Sequence, residues 1–311
     1  MRNKIACISL NLDSIGHAIG KSPLENDPTF NIVFDRIEKI LDRYNIKLSV
    51  FVIGRDLENE KNLEKVSSWS LRGHEIGNHT YSHALNFSSL SYAEIHNEIK
   101  KTDELIFKAT NKKPTGFIAP GWNSSNKVLL ALKDLGYKYD HSLFSSPILF
   151  LGLFKLFYNF IKVLIIEKKP PKTYTIFEIF QRRDYLHMFF GRSKPFKTSN
   201  SYFFTSKEKD SLRVYPIPSK FKLAYWLTVD FVFPKKISDL IFKINIKRKN
   251  FFYILIHPAD FISEEDLKHI EGTHSFERIS VDLDYKLNVF EDRIKQLLKN
   301  NFIFKTFDQL T

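Results

Sequence analysis

The sequence predicts an α/β fold built on a parallel sheet, and three observations support this. Short apolar runs typical of strands alternate with longer segments whose apolar residues recur at helical spacing. The 311 residues are 43% hydrophobic and 15% aromatic, enough for one large barrel or two ordinary domains. Polar residues follow several predicted strands, where parallel sheets place their chemistry. We therefore expect strands with helices outside them.

The N-terminal part of the chain predicts a βαβ unit. Residues 5–12 form a short apolar run typical of a strand. Residues 31–44 carry apolar side chains on one helical face, and residues 48–54 are rich in β-branched and aromatic residues.

The same alternation continues to residue 140. Ser91, followed three residues later by Glu94, predicts a capping box at a helix start, and Gly136 predicts a helix end. The predicted elements are helix 62–71, strand 75–78, helix 92–109, strand 116–118, helix 126–135 and strand 137–140.

Residues 144–250 interrupt the alternation. Residues 148–166 are nearly all apolar except for Lys155, Asn159 and Lys162, which share one helical stripe. A membrane span needs about 20 apolar residues, and a lysine at bilayer depth costs roughly 2.5–3.5 kcal/mol, so a span is disfavoured. An amphipathic helix lying in a membrane interface and a buried helix covering the sheet are the two remaining interpretations.

Basic residues follow this apolar segment, and cations beside apolar side chains favour an anionic lipid surface. No repeat or linker separates the region, so we interpret 144–250 as an elaboration of one domain that spans residues 1–311. The basic residues are Lys168, Lys169, Lys172, Arg182, Arg183, Lys235, Lys236, Lys243, Lys247, Arg248 and Lys249.

Charge and cysteine content limit the partners and the compartment. A net charge of +12 predicts an anionic partner, and no nucleic-acid-binding module accompanies it, so we expect no nucleic acid partner. The single cysteine, Cys7, excludes an internal disulfide and favours a reducing compartment. The first apolar run ends without a small-residue cleavage site, so we expect a strand and a cytoplasmic protein.

Residues 73–83 carry two histidines four apart, His79 and His83, directly after a predicted strand. A helical turn would bring both imidazoles to one metal ion, since neutral imidazole is a common ligand of zinc. On spacing alone, two such histidines are more often a solvated helix face or part of a packed shell than a metal site.

The sequence around these histidines resembles the metal-binding motif of the polysaccharide deacetylase family, the NodB-homology enzymes. Gly-His-Glu-Ile-Gly precedes His-Thr-x-x-His, as in that family. The resemblance covers residues 4–143 and 251–311. It implies a distorted (β/α) barrel, here with an apolar, basic-flanked insertion. Further matching segments are residues 11–14 (Asn-Leu-Asp-Ser), 117–122 (Phe-Ile-Ala-Pro-Gly-Trp), 136–140 (Gly-Tyr-Lys-Tyr-Asp), 255–258 (Leu-Ile-His-Pro) and 304–310.

The resemblance also implies the roles of individual residues. His79, His83 and Asp13 would hold a divalent metal, zinc first, with cobalt, manganese or nickel as alternatives. Asp13 would act as general base and His257 as general acid. The expected substrate-binding residues are Asn11, Pro120, Gly121, Trp122 and Asp140.

Two positions depart from the family pattern. Ser14 replaces a second aspartate that normally binds the metal, so we expect Asp13 to ligate, assisted by Asn11 or His17. Ile118 replaces the arginine that orients the base, so the pKa of Asp13 should be less depressed. The Asn11-Leu12-Asp13 segment resembles the branch that deformylates undecaprenyl-phosphate-linked aminoarabinose.

We therefore expect a hydrolase that removes an acetyl or formyl group from the nitrogen of an amino sugar. The substrate is expected on a polyprenyl phosphate at an anionic membrane surface, with the enzyme peripheral to the inner face of the cytoplasmic membrane. The alternatives are a soluble cell-wall polysaccharide deacetylase and a degenerate sugar-binding member of the family.

Overall fold

The computed structural model describes residues 4–148, 185–270 and 278–311. Within these residues, eleven strands follow one another along the chain. They are β1 (Lys4–Leu12), β2 (Ser49–Val52), β3 (Glu75–Asn78), β4 (Gly116–Phe117), β5 (Tyr139–Asp140), β6 (Phe196–Thr198), β7 (Leu212–Val214), β8 (Ser219–Lys220), β9 (Leu223–Ala224), β10 (Phe251–Ile256) and β11 (Phe302–Phe304).

Nine of these strands form one curled sheet in the order β10-β1-β2-β3-β4-β5-β7-β6, with β11 also paired to β1. All pairings in this sheet are parallel except the one between β6 and β7. Strand β1 is central: it pairs with β10 along one side, and with β11 and then β2 along the other. The parallel α/β prediction is confirmed.

The helices agree with the sequence pattern through residue 140. The capping box is present, because Ser91 accepts from Glu94 N at 3.3 Å while Ser91 N donates to the Glu94 carboxylate at 2.7 Å. The helices are α1 (Ile15–Ala18), α2 (Phe34–Asp42), α3 (Glu60–Leu71), α4 (Tyr92–Thr110), α5 (Asn126–Asp134), α6 (Tyr185–Phe190), α7 (Val229–Val232), α8 (Lys235–Ile246) and α9 (Leu283–Lys299).

The sheet is buried on both faces, and β1 shows how. Ala6, Ile8 and Leu10 belong to the large core between the sheet and its helices. Cys7 points to the opposite face, because successive strand residues alternate in direction. There it joins aromatic side chains from other strands, such as Tyr253, so the curl of the sheet encloses a second core and Cys7 is a buried thiol.

The predicted interfacial helix over 148–166 lies, from residue 149 onward, outside the described residues. Among the helices that the structure does describe, none combines the length and the apolar character needed to cross a bilayer.

Candidate metal centre and active site

The loop after β3 brings two histidines together without a helix. His79 and His83 have ring centroids 4.8 Å apart, and Thr80 and His83 adopt left-handed backbone conformations, with φ of 64° and 55°. Asn78 Oδ1 accepts from Thr80 N at 2.8 Å, and Thr80 Oγ1 accepts from His83 N at 3.1 Å. The predicted helical turn is therefore wrong, since a hydrogen-bonded left-handed turn supplies the proximity instead.

Asp13, which follows the end of β1, completes this cluster. Only β2 separates β1 from β3 in the sheet, so the ends of these strands lie near one another. Oδ1 of Asp13 lies 3.1 Å from His79 Nε2 and 3.4 Å from His83 Nε2. Ligand atoms of the three residues all lie within 4.8 Å of one another. The structure thus brings together the three residues that the sequence predicts as metal ligands.

The hydrogen bonds of His79 indicate what this cluster is built to hold. Its Nδ1 lies 2.7 Å from the carbonyl oxygen of Ile118, which can only accept, so Nδ1 carries the proton. In the neutral ring, Nε2 then turns a lone pair towards the carboxylate of Asp13. Two acceptors at 3.1 Å require a cation or a proton between them, so the donor set fits a divalent metal.

His83 supports the same conclusion. Both of its ring nitrogens are buried and lack a hydrogen-bond partner among the described residues. Burial is the largest influence on its pKa and lowers it, which favours the neutral, ligating form. The ring of His17 packs against it, with centroids 4.4 Å apart, and burial likewise lowers the pKa of His17 to about 3.

Asp13 is ionised at neutral pH in this setting. Burial alone would raise the pKa of its carboxyl, but positive charge at His83 and His79 outweighs that effect and lowers the pKa well below its usual range. A divalent ion would supply this charge while both rings stay neutral. The side chain keeps 32% of its surface exposed, so it is accessible from the adjoining pocket. The expectation that Asp13 would have a less depressed pKa was based on the missing arginine, and the histidines compensate for that loss.

A pocket of about 260 Å³ opens beside this cluster. Trp122 forms one wall and contacts both Trp226 and His257, with ring centroids 6.0 Å and 6.4 Å apart. Asn11 Oδ1 is buried, without a hydrogen-bond partner among the described residues. The lining residues are Asn11, Asp13, His83, Leu85, Gly121, Trp122, Trp226, Thr228, His257 and Arg278.

His257 follows β10 and is held by a turn that sequence analysis missed. Asp260 Oδ2 accepts from His257 N at 2.9 Å and lies 3.8 Å from its Nδ1. Asp260 Oδ1 accepts from Arg278 Nη1 at 2.8 Å and from Thr228 Oγ1 at 3.1 Å. Burial would raise the pKa of Asp260, but Arg278 and His257 lower it below its usual value.

The two departures from the family pattern have clear structural settings. Ser14 is fully buried and caps α1, accepting from His17 N at 3.0 Å. Asp56 lies behind it, and burial raises the pKa of this carboxyl to about 7. The Ile118 side chain belongs to the enclosed core, so only its carbonyl serves the site.

Two of the residues predicted to bind substrate do not line the pocket. Asp140 is fully buried and accepts from Tyr202 OH at 2.8 Å and from the Ser142 hydroxyl, so its position indicates a structural role. Pro120 is buried as well, and its neighbours Gly121 and Trp122 reach the pocket instead. The predicted positions of Asn11, Gly121 and Trp122 agree with the pocket.

Comparison with protein families identifies part of the chain. Residues 24–139 match the family model for polysaccharide deacetylases. A peptidoglycan deacetylase from Helicobacter pylori is 35% identical over 108 residues, which cover 35% of this chain and 36% of that protein. The chain thus spans about a third of the length of this curated relative.

Two solved structures share the fold. A protein from Mycobacterium smegmatis assigned as a polysaccharide deacetylase superposes with a TM-score of 0.60 at 13% identity, covering 100% of this chain and 90% of that one. A CE4 family pseudoenzyme from Bacillus anthracis superposes with a TM-score of 0.50 at 16% identity, covering 99% and 65%. The predicted barrel-type fold is confirmed.

Proposed function

Because residues 24–139 match the family model for polysaccharide deacetylases, we propose that this chain hydrolyses the N-acyl group of an amino sugar. The observation that carries the proposal is that Asp13, His83 and His257 line one pocket. A base and an acid that face the same pocket are what amide hydrolysis requires.

The roles follow from the geometry. Oδ1 of Asp13 faces both histidines, so we assign its second oxygen to accept a proton from the attacking water. The water oxygen bonds to the acyl carbon, the carbon–nitrogen bond breaks, and His257 gives a proton to the departing amine. Asp260, held by Arg278, accepts from the backbone N of His257 and so anchors the turn that carries the ring, with its charge 3.8 Å from Nδ1. A divalent ion on His79, His83 and Asp13 supplies Lewis acidity towards the acyl carbonyl when bound.

Two tryptophans give the pocket its preference for a sugar. Trp122 and Trp226 meet at its edge, and aromatic faces suit the apolar face of a pyranose. The named relative is a peptidoglycan deacetylase, which supports an N-acetylated amino sugar of a glycan as substrate.

The test is acetate release from N-acetylglucosamine oligosaccharides by zinc- or cobalt-loaded protein. Asp13→Asn and His257→Ala should each lower turnover by about 100-fold or more, since each removes one proton-transfer group. Glu264→Gln and His269→Ala make equivalent changes, carboxylate to amide and histidine to alanine, at exposed positions and serve as matched controls. Activity of either site variant within a few-fold of wild type would refute the assignment.

The lipid-linked form of the substrate is the finer part of the proposal. The net charge of +12 and exposed aromatic side chains support a protein that works on a polyprenyl-phosphate sugar at the cytoplasmic membrane face. Phe190 and Phe221 are 73% and 78% exposed. Phe190→Glu combined with Phe221→Glu should weaken flotation with anionic liposomes, and a wild type that never floats would contradict the membrane proposal.

A sugar-binding protein without catalysis is the second candidate. Ser14 and Ile118 favour it, because the family's second metal ligand and its base-orienting arginine are both missing. The two candidates separate in one experiment: a protein that binds N-acetylglucosamine oligosaccharides but releases no acetate with zinc, cobalt, manganese or nickel is the binding protein.

A further inference from the structure

A second cleft, of about 350 Å³, opens where β10 begins. Its size lies within the roughly 300–1,000 Å³ typical of ligand sites. Lys194, Arg248 and Lys249 line it, and Pro216, Pro218 and Phe251 form its walls. We call it the basic cleft.

The cations of the basic cleft are not neutralised by the described part of the chain. Among its described lining residues there is no Asp or Glu. The charged groups that act on Lys249 are Lys194 and Lys220, both cations. Burial lowers the pKa of Lys249, and these two lysines lower it further. Like charges held together in a partly dry cleft are unfavourable unless an anion joins them.

The backbone holds this arrangement in place. Arg248 lies in the turn between α8 and β10 with φ of 57°, a conformation that non-glycine residues rarely adopt. Asn245, one turn earlier, also lines the cleft and is held to β8 and β9: its Oδ1 accepts from Lys220 N at 2.8 Å, and its Nδ2 donates to Leu223 O at 2.8 Å. Strained residues held by surrounding structure are common at ligand sites.

The basic cleft is separate from the catalytic pocket. It includes Phe251, at the start of β10, whereas His257 follows the end of that strand. Strand residues advance about 3.3 Å each, so these two residues are about 20 Å apart. One amino sugar cannot occupy both places.

We propose that the basic cleft binds the phosphate group of an anionic ligand, at a site independent of the catalytic pocket. Two ammonium groups and a guanidinium match a phosphate better than a carboxylate, because a phosphate carries more charge and more acceptor oxygens. The ligand is either a soluble phosphate ester or a phospholipid headgroup.

The experiment titrates inorganic phosphate into the full chain by calorimetry at constant ionic strength, with acetate as the comparison anion. We expect phosphate to bind at least about tenfold more tightly than acetate. Lys194→Gln combined with Lys249→Gln should weaken phosphate binding by about tenfold or more. Lys236→Gln combined with Lys243→Gln removes the same charge from exposed positions of α8 and should leave phosphate binding unchanged.

Flotation with phosphatidylcholine vesicles, with and without phosphatidylglycerol, distinguishes the two sources. Calorimetric binding of phosphate supports a soluble ester, whereas binding only to phosphatidylglycerol vesicles, lost in the cleft variant, supports a headgroup. Failure of the wild type to bind either probe, or equal binding by the cleft variant, overturns the proposal. Acetate release by the cleft variant should equal that of wild type. Failure of the phosphate proposal would then leave the catalytic proposal untouched, and the reverse also holds.

Discussion

Nε2 of His79 lies 3.1 Å from Oδ1 of Asp13, while Nδ1 of the same ring points at the Ile118 carbonyl. The second contact fixes the ring proton on Nδ1, so the first contact sets a lone pair against a carboxylate. This pair of contacts is stable only with a positive charge between the two atoms.

Removing either histidine should therefore abolish high-affinity metal binding. His79→Ala or His83→Ala should weaken the binding of zinc, cobalt, manganese or nickel by at least about 100-fold, because each deletes one of three clustered ligands. Metal titration by calorimetry is the measurement, and the exposed His269→Ala is the matched control. Wild-type affinity in both site variants would rule out this centre.

Asp260 should affect turnover more than substrate binding. Asp260→Asn keeps the shape of the side chain but loses the negative charge 3.8 Å from Nδ1 of His257, which favours the protonated acid, so kcat should fall about 10- to 100-fold with KM nearly unchanged. Asp284→Asn, an exposed carboxylate change on α9, should leave both constants at wild-type values. A rise in KM alone would mean that Asp260 contacts substrate and does not position the acid.

Ser14→Asp tests whether the missing carboxylate limits the metal centre. Aspartate also caps helices well, so α1 should persist. The new carboxylate should raise metal affinity about tenfold, and more when Asp56→Asn removes the neighbouring acid. Zinc titration of the single and double variants measures this. An unchanged affinity in both would show that position 14 does not reach the metal.

Glu75 should make stability depend on pH. Its carboxylate, buried in the enclosed core, accepts from Tyr139 OH at 2.6 Å, and burial raises its pKa to about 7. Between pH 4.5 and 7 the folded state binds more protons than the unfolded state, so stability falls as pH rises through this window. The change is on the order of 3 kcal/mol.

Glu75→Gln should flatten this part of the stability curve. Urea unfolding at pH 4.5, 5.5 and 7 gives the free energy of unfolding of wild type and variant. Subtracting one from the other at each pH cancels the contributions of other buried acids. Glu264→Gln, at an exposed position, should leave the slope intact. Parallel curves of stability against pH for wild type and Glu75→Gln would contradict the raised pKa of Glu75.

Sequence analysis could predict the strands through residue 140 because short strand-like runs alternate there with helical apolar spacing, and two of the helices carry capping signals at Ser91 and Gly136. It could also predict the cluster of Asp13, His79 and His83, because the spacing of the two histidines is local and the family resemblance supplies the distant Asp13. The loop geometry was missed because the left-handed conformations of Thr80 and His83 depend on hydrogen bonds from Asn78 and Thr80.

The support of His257 was missed for a different reason. Arg278 and Thr228 lie far from His257 in sequence and meet it only through Asp260. A local signal did exist, because His-Pro-x-Asp is a capped turn in which Asp260 folds back on His257 N. Trp226 gave no signal, since the segment that carries it lacks a regular apolar period.

The carbonyl of Ile118 makes one part of this candidate site independent of the side chain beside it. A backbone group orients His79, so the side chain at position 118 can change while that contact stays available. Metal retention by the chain would therefore not report on whether its base is activated, and the two properties need separate measurements.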